Sequence, residues 1–577
     1  MAYHLRGIVL PDDEERDLYA VASRTSRNGA DRSSATRNVC AVILASVLLT
    51  QMAAAMLLSA SGDAPTIDEP AHLAAGTAYV FRHDLRLNPE HPPLVKVLAA
   101  LPLRLAGINL PTPAQLRSEG QYTLGRRILY GTGNDPGHVM WLARLPMMGL
   151  TLGLALVVFA FARDLFGTWP ALVALAVTTL DPNLIANGRL LTTDVAVTGF
   201  LLLTLWLLWR AANRARPWVL AAGIALGLGM ASKYSALVAV PFVALVAFSS
   251  GWSTARPASR FRRLLEGLGW SLVVLVLALA TVWAVYLAID PRLRFDGARL
   301  EATGALASVA ERLPVPEAYR AGLEFAIASD QGGRDSYLLG EHYKRGRLDY
   351  YPLLLAIKTP VGTLALWAAA LTAVLATRRR RELSMYLLLV PAALLLFAVQ
   401  SDTNMGYRHI LVVPVFLAVA SAAVVTARRR REWVLASVLL LATALSVWRT
   451  FPAYLAYANE PAGGPANAYR LVTGSNVDWA QDLGRLAAYL QRNHPHDRVW
   501  LLYAGTALPS AYGIRANNLA LVPPEQADGI VAASVTSMNG RWYATSRDFI
   551  RCGQRPLAQV GHSILVYRVK HPSCPAG

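Results

Sequence analysis

Residues 217–250 read PWVLAAGIALGLGMASKYSALVAVPFVALVAFSS. About 20 apolar residues span the hydrocarbon core as a helix, so this run is too long for one crossing, and Ser232-Lys233-Tyr234 interrupts it midway. Arginine clusters at 210–216 and 256–263 flank it on both sides. Because positively charged loops stay on the cytoplasmic side, both ends belong to one face. The run therefore crosses twice, with Lys233 at the turn on the opposite face.

Working outward, nine further apolar runs are long enough to be spans: 39–60, 139–162, 170–186, 195–210, 268–289, 353–376, 383–400, 410–426 and 433–448. With the doubled run this predicts an α-helical polytopic membrane protein of about 11 transmembrane helices. The composition agrees, since 54% hydrophobic and 16% charged residues with mean hydropathy +0.35 are too apolar for a soluble chain. The net charge of +18 lies largely in short arginine clusters (210–216, 256–263, 378–381, 428–431), which read as topology signals, and no nucleic-acid partner is expected. The parity places the N-terminus in the cytoplasm and everything after residue 448 on the outer face.

Three divisions follow. Residues 1–38 are polar, carry six arginines and lack the apolar core of a signal peptide, so a disordered cytoplasmic tail is expected. Residues 39–450 form the membrane domain, with outer loops 61–137 and 290–351. Residues 451–577 change composition and read as a small extracytoplasmic α/β domain, with a helical pattern at 479–490 and strand-like runs at 498–503, 530–535 and 563–569. Of three cysteines, Cys40 opens the first span, while Cys552 and Cys574 fall in the C-terminal region. They would pair only in an oxidising compartment and at a distance the sequence does not give.

The ionisable groups gather on the outer face. Asp68-Glu69-Pro70-Ala71-His72 follows the first span, Asn88-Pro89-Glu90-His91-Pro92-Pro93-Leu94-Val95-Lys96 comes about twenty residues later, Asp194 opens another span after Thr192-Thr193, Lys233 sits at the turn, and Arg408-His409 precedes a further span. Charged groups beside lipid need water or a partner. Each has a simpler reading. Thr66-x-x-Glu69 fits a capping box and Asp68 or Asp194 a helix cap; Lys96 can snorkel to headgroups; His72 and His91 can be hydrogen-bond partners of carboxylates. Aromatics in Asp349-Tyr350-Tyr351-Pro352 can anchor the interface, and Asn476, Asp478 and Trp479 can cap a helix of the C-terminal domain. Three carboxylates, Asp68, Glu90 and Asp194, at outer ends of different segments point instead to a shared site.

The order of these motifs, with Lys358-Thr359-Pro360, Gly406-Tyr407-Arg408-His409 and Ser475-Asn476-Val477-Asp478-Trp479-Ala480-Gln481-Asp482, resembles bacterial members of glycosyltransferase family 39. That family is related to protein O-mannosyltransferases and belongs to the GT-C superfamily. The resemblance implies a GT-C fold, a polyprenyl-phosphate sugar as donor and an acceptor hydroxyl on a protein, lipid or glycan. It implies Asp68 as general base with Glu69 beside it, and inversion at the sugar C1. A carboxylate that takes the hydroxyl proton contributes roughly 10²- to 10⁴-fold. Lys96, Lys233, Arg408 and His409 would meet the leaving phosphate, and His72, Glu90, His91 and Asp194 would complete substrate binding. A divalent metal, where such an enzyme uses one, would sit at Glu90 or Asp194; the sequence leaves a metal-free site equally open. The location implied is a bacterial-type inner (plasma) membrane. A lipid or solute transporter and an inactive scaffold are the rival readings, and the absence of repeated halves speaks against the transporter.

Overall fold

The computed structural model describes residues 13–569 apart from 256–257, 298, 301, 377, 428, 524–525, 541–549 and 551–554. Cys552 and Cys574 lie outside the described residues; Cys40 is a free, exposed thiol.

All eleven apolar runs are helical. Six helices are long and apolar enough to cross a bilayer alone: Thr36–Ala60, Pro136–Phe166, Asp194–Asn213, Ala236–Thr254, Arg260–Ile289 and Arg430–Trp448. Three more runs are bent pairs, Thr168–Thr179 with Pro182–Gly188 (63°), Tyr350–Lys358 with Val361–Leu375 (114°), and Arg381–Leu387 with Leu389–Gln400 (50°). Trp218–Met230 and Val412–Val425 are shorter than a crossing. Among the described residues, helix length thus gives six full spans, or nine with the bent pairs, where the sequence suggested about eleven. Proline explains the bends at 182 and 360, since it lacks an N–H and disfavours helix in the residue before it. The 217–250 run does split into two helices, Trp218–Met230 and Ala236–Thr254, around a turn at Lys233.

The expectation of a disordered tail is corrected for residues 13–38. The first helix starts at Asp13 and continues into the span to Ala60. Between 13 and 38 there is no proline and only Gly29, so a helix nucleated by the span propagates backward at little cost.

The helices are polar at opposite ends. Asp194 opens a 20-residue helix, so Arg210 near its other end is roughly 25 Å away, where it pairs with Asp164 and stacks on Trp206 and Trp218. Lys233 and Arg263 occupy the opposite ends of the next hairpin in the same way, with Arg263 over Trp252.

After the helical region come strands β1 (Ser336–Leu338) and β2 (Glu341–Tyr343), a small antiparallel hairpin in the 290–351 loop, and five C-terminal strands: β3 (Val499–Leu502), β4 (Ala516–Asn518), β5 (Gly529–Ser534), β6 (Ala558–Val560) and β7 (Ile564–Val569). They pair in the order β4-β3-β5-β7-β6, parallel across β4-β3-β5 and antiparallel beyond. The α/β reading holds, and β4 and β6 are additional edge strands. Successive residues point to opposite faces. Val499, Leu501, Ile530 and Val566 meet Leu483, Leu486 and Leu490 of the helix Leu483–Asn493, while Trp500, Leu502, Val531 and Tyr567 join the core of the helical region. The sheet is therefore fused to the membrane domain by one whole face.

Candidate active site

Helix Glu69–Arg82 carries the first acidic motif. Its N-terminal residue Asp68 makes no side-chain cap bond, which leaves that carboxylate for other work. The helix is fixed by close packing: a Cβ on Gly125 would collide with the carbonyl of Pro70, so only glycine lets the helix Gln121–Tyr130 seat against it. Glu69 supplies the stability. Its Oε1 accepts from Arg144 Nε (2.8 Å) and Leu191 N (2.9 Å), and its Oε2 from Arg144 Nη2 (2.6 Å) and Thr66 N (2.8 Å). Burial raises the carboxyl's affinity for a proton, but Arg144 and these donors outweigh it, so the group stays below the usual range. Glu69 thus clamps the start of this helix to Arg144 and the Leu191 backbone.

Asp68 meets the groups that sequence placed on distant segments. Arg408 Nη2 donates to its Oδ2 at 3.2 Å, Arg408 Nη1 lies 3.8 Å from Asp194 Oδ2, and Lys233 Nζ donates to Asp194 Oδ1 at 2.5 Å. Charges alternate along this chain, and only Asp68 has substantial exposure, 25% of its side chain against 6% for Arg408 and 2% for Asp194. Arg408 stacks on Trp479 at 4.1 Å. Gly406, at φ 117°, holds the preceding turn against Ser475 and Asn476 where a Cβ would clash.

A small cleft of about 80 Å³ opens beside this chain. Asp194, Lys233, Arg408 and His409 line it together with the apolar Leu201, Leu394, Phe397 and Val412, with Tyr351 among the walls. Three buried polar atoms around the charged groups lack any hydrogen-bond partner: Asp194 Oδ2, Arg408 Nε and His91 Nδ1. Buried polar atoms are seldom left so, and their gathering at one place marks where a polar ligand group would be satisfied.

The histidines border the site as neutral rings. Burial holds His72 down to about 4, with Asp68 pulling the other way, and its Nδ1 faces Asn88 Oδ1 at 3.1 Å. Burial likewise keeps His91 and His409 well below the ordinary imidazole value. The His72 and His91 rings lie 5.3 Å apart.

Two expectations are corrected. Lys96 is fully buried and bonds Asn88 O (2.8 Å), Asn88 Oδ1 (3.0 Å), His91 O (2.6 Å) and Tyr79 Oη (3.0 Å); it ties the 88–91 loop shut and has no donor left for phosphate. Burial brings it down to about 7. Glu90 accepts from Asn88 Nδ2 (3.1 Å) and Gln121 Nε2 (2.9 Å), and so secures the same loop. Of the two residues a divalent metal would use, Asp194 is held between two cations, and among the described residues no group of three or more His, Cys, Asp or Glu side chains is arranged to hold a metal.

Sequence reasoning placed Trp479 and Asn476 at a helix cap. Trp479 instead lies under Arg408, and Asn476 Oδ1 accepts Tyr407 N at 2.9 Å. Their signal was only their place in the Ser475–Asp482 motif. The apolar walls of the cleft carried none, because Leu201 or Phe397 looks like any other span residue.

These features define a multi-pass helical membrane protein with an ionic site whose cleft also has apolar walls. Residues 136–286 match the family model described as dolichyl-phosphate-mannose-protein mannosyltransferase, in agreement with the resemblance carried by the motifs. Among solved structures, ArnT from Cupriavidus metallidurans in the apo state is 14% identical, with 93% of this chain and 98% of that chain covered and a TM-score of 0.47. The Archaeoglobus fulgidus oligosaccharyltransferase in complex with Zn and sulfate is 12% identical (87% and 69% covered, TM-score 0.42). The S. cerevisiae protein O-mannosyltransferase Pmt1-Pmt2 complex bound to the sugar donor is 17% identical (52% and 39% covered, TM-score 0.33). No curated protein matches the chain by sequence.

Proposed function

We propose that this protein transfers a sugar from a polyprenyl phosphate to an acceptor hydroxyl of a protein, lipid or glycan. The observation that carries the reading is the cleft, which is lined both by the cations Lys233 and Arg408 and by apolar side chains of the helices Asp194–Asn213 and Leu389–Gln400. A phosphate on a long isoprenoid has that same division, a doubly charged head and a wholly apolar tail. The resemblance to a mannosyltransferase family over residues 136–286 supports the same substrate class.

The roles follow from position. Lys233 and Arg408 face the phosphate, and the unpartnered Arg408 Nε becomes a donor to it; charge-assisted bonds in a dry site are the strong ones. The phosphate competes with Asp68 and Asp194 for Arg408, so donor binding loosens the Asp68–Arg408 contact and turns the exposed carboxylate toward the acceptor. Asp68 takes the hydroxyl proton as the acceptor oxygen bonds to C1. The C1–O bond to phosphate breaks on the opposite face, its electron pair leaves with the phosphate, and the configuration inverts. Lys233 and Arg408 offset the growing charge on the leaving group. His72, His91 and His409, neutral at pH 7, offer hydrogen bonds to sugar hydroxyls without adding charge. The site lies at the bundle end opposite Arg210 and Arg263, and under the positive-inside rule this supports a site on the outer face of an inner (plasma) membrane with the N-terminus cytoplasmic.

Binding of polyprenyl phosphate and of the free polyprenol of equal length to the purified protein tests the reading. Preference for the phosphate by a factor of ten or more is expected; equal binding, or none, contradicts it.

A further inference from the structure

We infer that Trp479 is a positioning residue that sets Arg408 and Asp68 in register, so that a segment leading into the C-terminal domain completes the active site. The inference rests on the reading of Arg408 as a phosphate ligand.

Trp479 reaches both halves of the site. Its ring lies under the Arg408 guanidinium at 4.1 Å, and its carbonyl accepts Ile67 N at 3.1 Å, one residue before Asp68. It is 4% exposed, and its own N–H is held by Gln481 Oε1 at 2.7 Å. Ala64 N donates to Gln481 O at 2.8 Å, so the 479–481 turn runs along the 64–67 segment as a template.

The Arg408 side is held equally firmly. Asn476 Oδ1 accepts Tyr407 N (2.9 Å), its Nδ2 donates to Tyr350 Oη (3.0 Å), and Ser475 Oγ donates to Met405 O (2.5 Å). Lys358 Nζ, buried at the 114° bend, donates to Asn476 O at 2.6 Å and Leu455 O at 2.8 Å. In this network Trp479 supplies the ring that stacks on the guanidinium. A flat aromatic face offers the cation attraction without a hydrogen-bond acceptor. The guanidinium thus keeps its N–H groups for Asp68, Asp194 and a ligand, whereas an aliphatic side chain would leave it free to swing.

The test measures polyprenyl phosphate affinity, donor KM and unfolding temperature for wild type, Trp479→Phe, Trp479→Leu and Arg408→Leu. The cation–aromatic contact corresponds to roughly tenfold in a desolvated site. Trp479→Leu is expected to lose about tenfold in affinity and to raise donor KM about tenfold, with Trp479→Phe recovering most of it while the two variants unfold at the same temperature. Two outcomes overturn the inference: unchanged affinity in Trp479→Leu, or equal loss in Leu and Phe variants that tracks a lowered unfolding temperature. If Arg408→Leu binds polyprenyl phosphate as wild type does, the phosphate-ligand reading itself fails; if Arg408→Leu loses affinity and Trp479→Leu does not, only the Trp479 role fails.

Discussion

Replacing Glu69 by glutamine separates structure from chemistry at two adjacent carboxylates. Each Glu69 oxygen receives two N–H donors, from Arg144 and Leu191 on one side and Arg144 and Thr66 on the other. An amide in either orientation turns its NH₂ toward two of those donors. It also removes the paired counter-charge of Arg144, 2% exposed, whose other acidic neighbour, Asp63, is already shared with Arg189 and Arg485. Breaking a buried pair in this way costs about 3–5 kcal/mol, a large part of the 5–15 kcal/mol typical of a whole domain. Asp68→Asn is different, because Asp68 has one contact with Arg408 at 3.2 Å and is a quarter exposed, so its loss costs about 1 kcal/mol or less. Unfolding temperature and monodispersity in detergent, measured beside sugar transfer, distinguish the two. Glu69→Gln is expected to unfold far below wild type, and Glu69→Met with Arg144→Met to recover part of the loss, since apolar replacement of both partners is often close to neutral. Asp68→Asn is expected to stay folded and lose turnover. A Glu69→Gln protein as stable as wild type yet inactive would refute the structural assignment and return Glu69 to the chemistry.

Other expectations follow from the same contacts. Lys233→Met removes a charged donor worth about 1.5–3 kcal/mol, so polyprenyl phosphate affinity should fall roughly 10- to 100-fold by equilibrium binding; unchanged affinity would remove Lys233 from the phosphate site. Stability should fall as the solution is acidified below pH 7. His72 is held at about 4 against 6.5, so the unfolded chain takes its proton first and stability is lost as pH falls from 6.5 toward 4. Lys96, at about 7 against 10.5, acts in the same direction between those values; a His72→Asn variant should flatten the lower part of the unfolding-temperature profile. Asp63 is buried between Arg189 and Arg485 at 2.7 Å each, so Asp63→Asn should loosen the C-terminal domain and speed limited proteolysis around residues 449–482, and an unchanged digest would contradict that docking.

The sequence reveals this fold through its apolar runs, because a lipid-facing helix must be apolar all round and cannot hide. It could not show that the runs at 170–186 and 353–376 bend, since Pro182 and Pro360 mark a break but not its angle. Asp68, Asp194, Lys233 and Arg408 stood out because each is an ionisable group at the end of an apolar run, where only water, a partner or a ligand can satisfy it. Glu69, Glu90 and Lys96 stood out for the same reason, and the structure gives each of them protein partners. Arg144, the partner of Glu69, lies 75 residues away and Gln121, the partner of Glu90, 31 away, and no local pattern announces either. Strands β4 and β6 are three-residue edge strands, too short for alternation to register. Trp479 was invisible as a partner of Arg408 because an aromatic side chain at the start of a domain has many uses, and only the fold selects one.

The central claim is sugar transfer with Asp68 as base. The most direct measurement offers purified wild type and Asp68→Asn a panel of polyprenyl-phosphate sugars in liposomes with an acceptor-bearing membrane extract, and follows release of polyprenyl phosphate. Release by wild type with at least one donor is expected, and a loss of roughly 10²- to 10⁴-fold in a variant that still binds polyprenyl phosphate. Equal release by both proteins would contradict the role of Asp68, and no release by folded wild type with any donor would contradict the transferase itself.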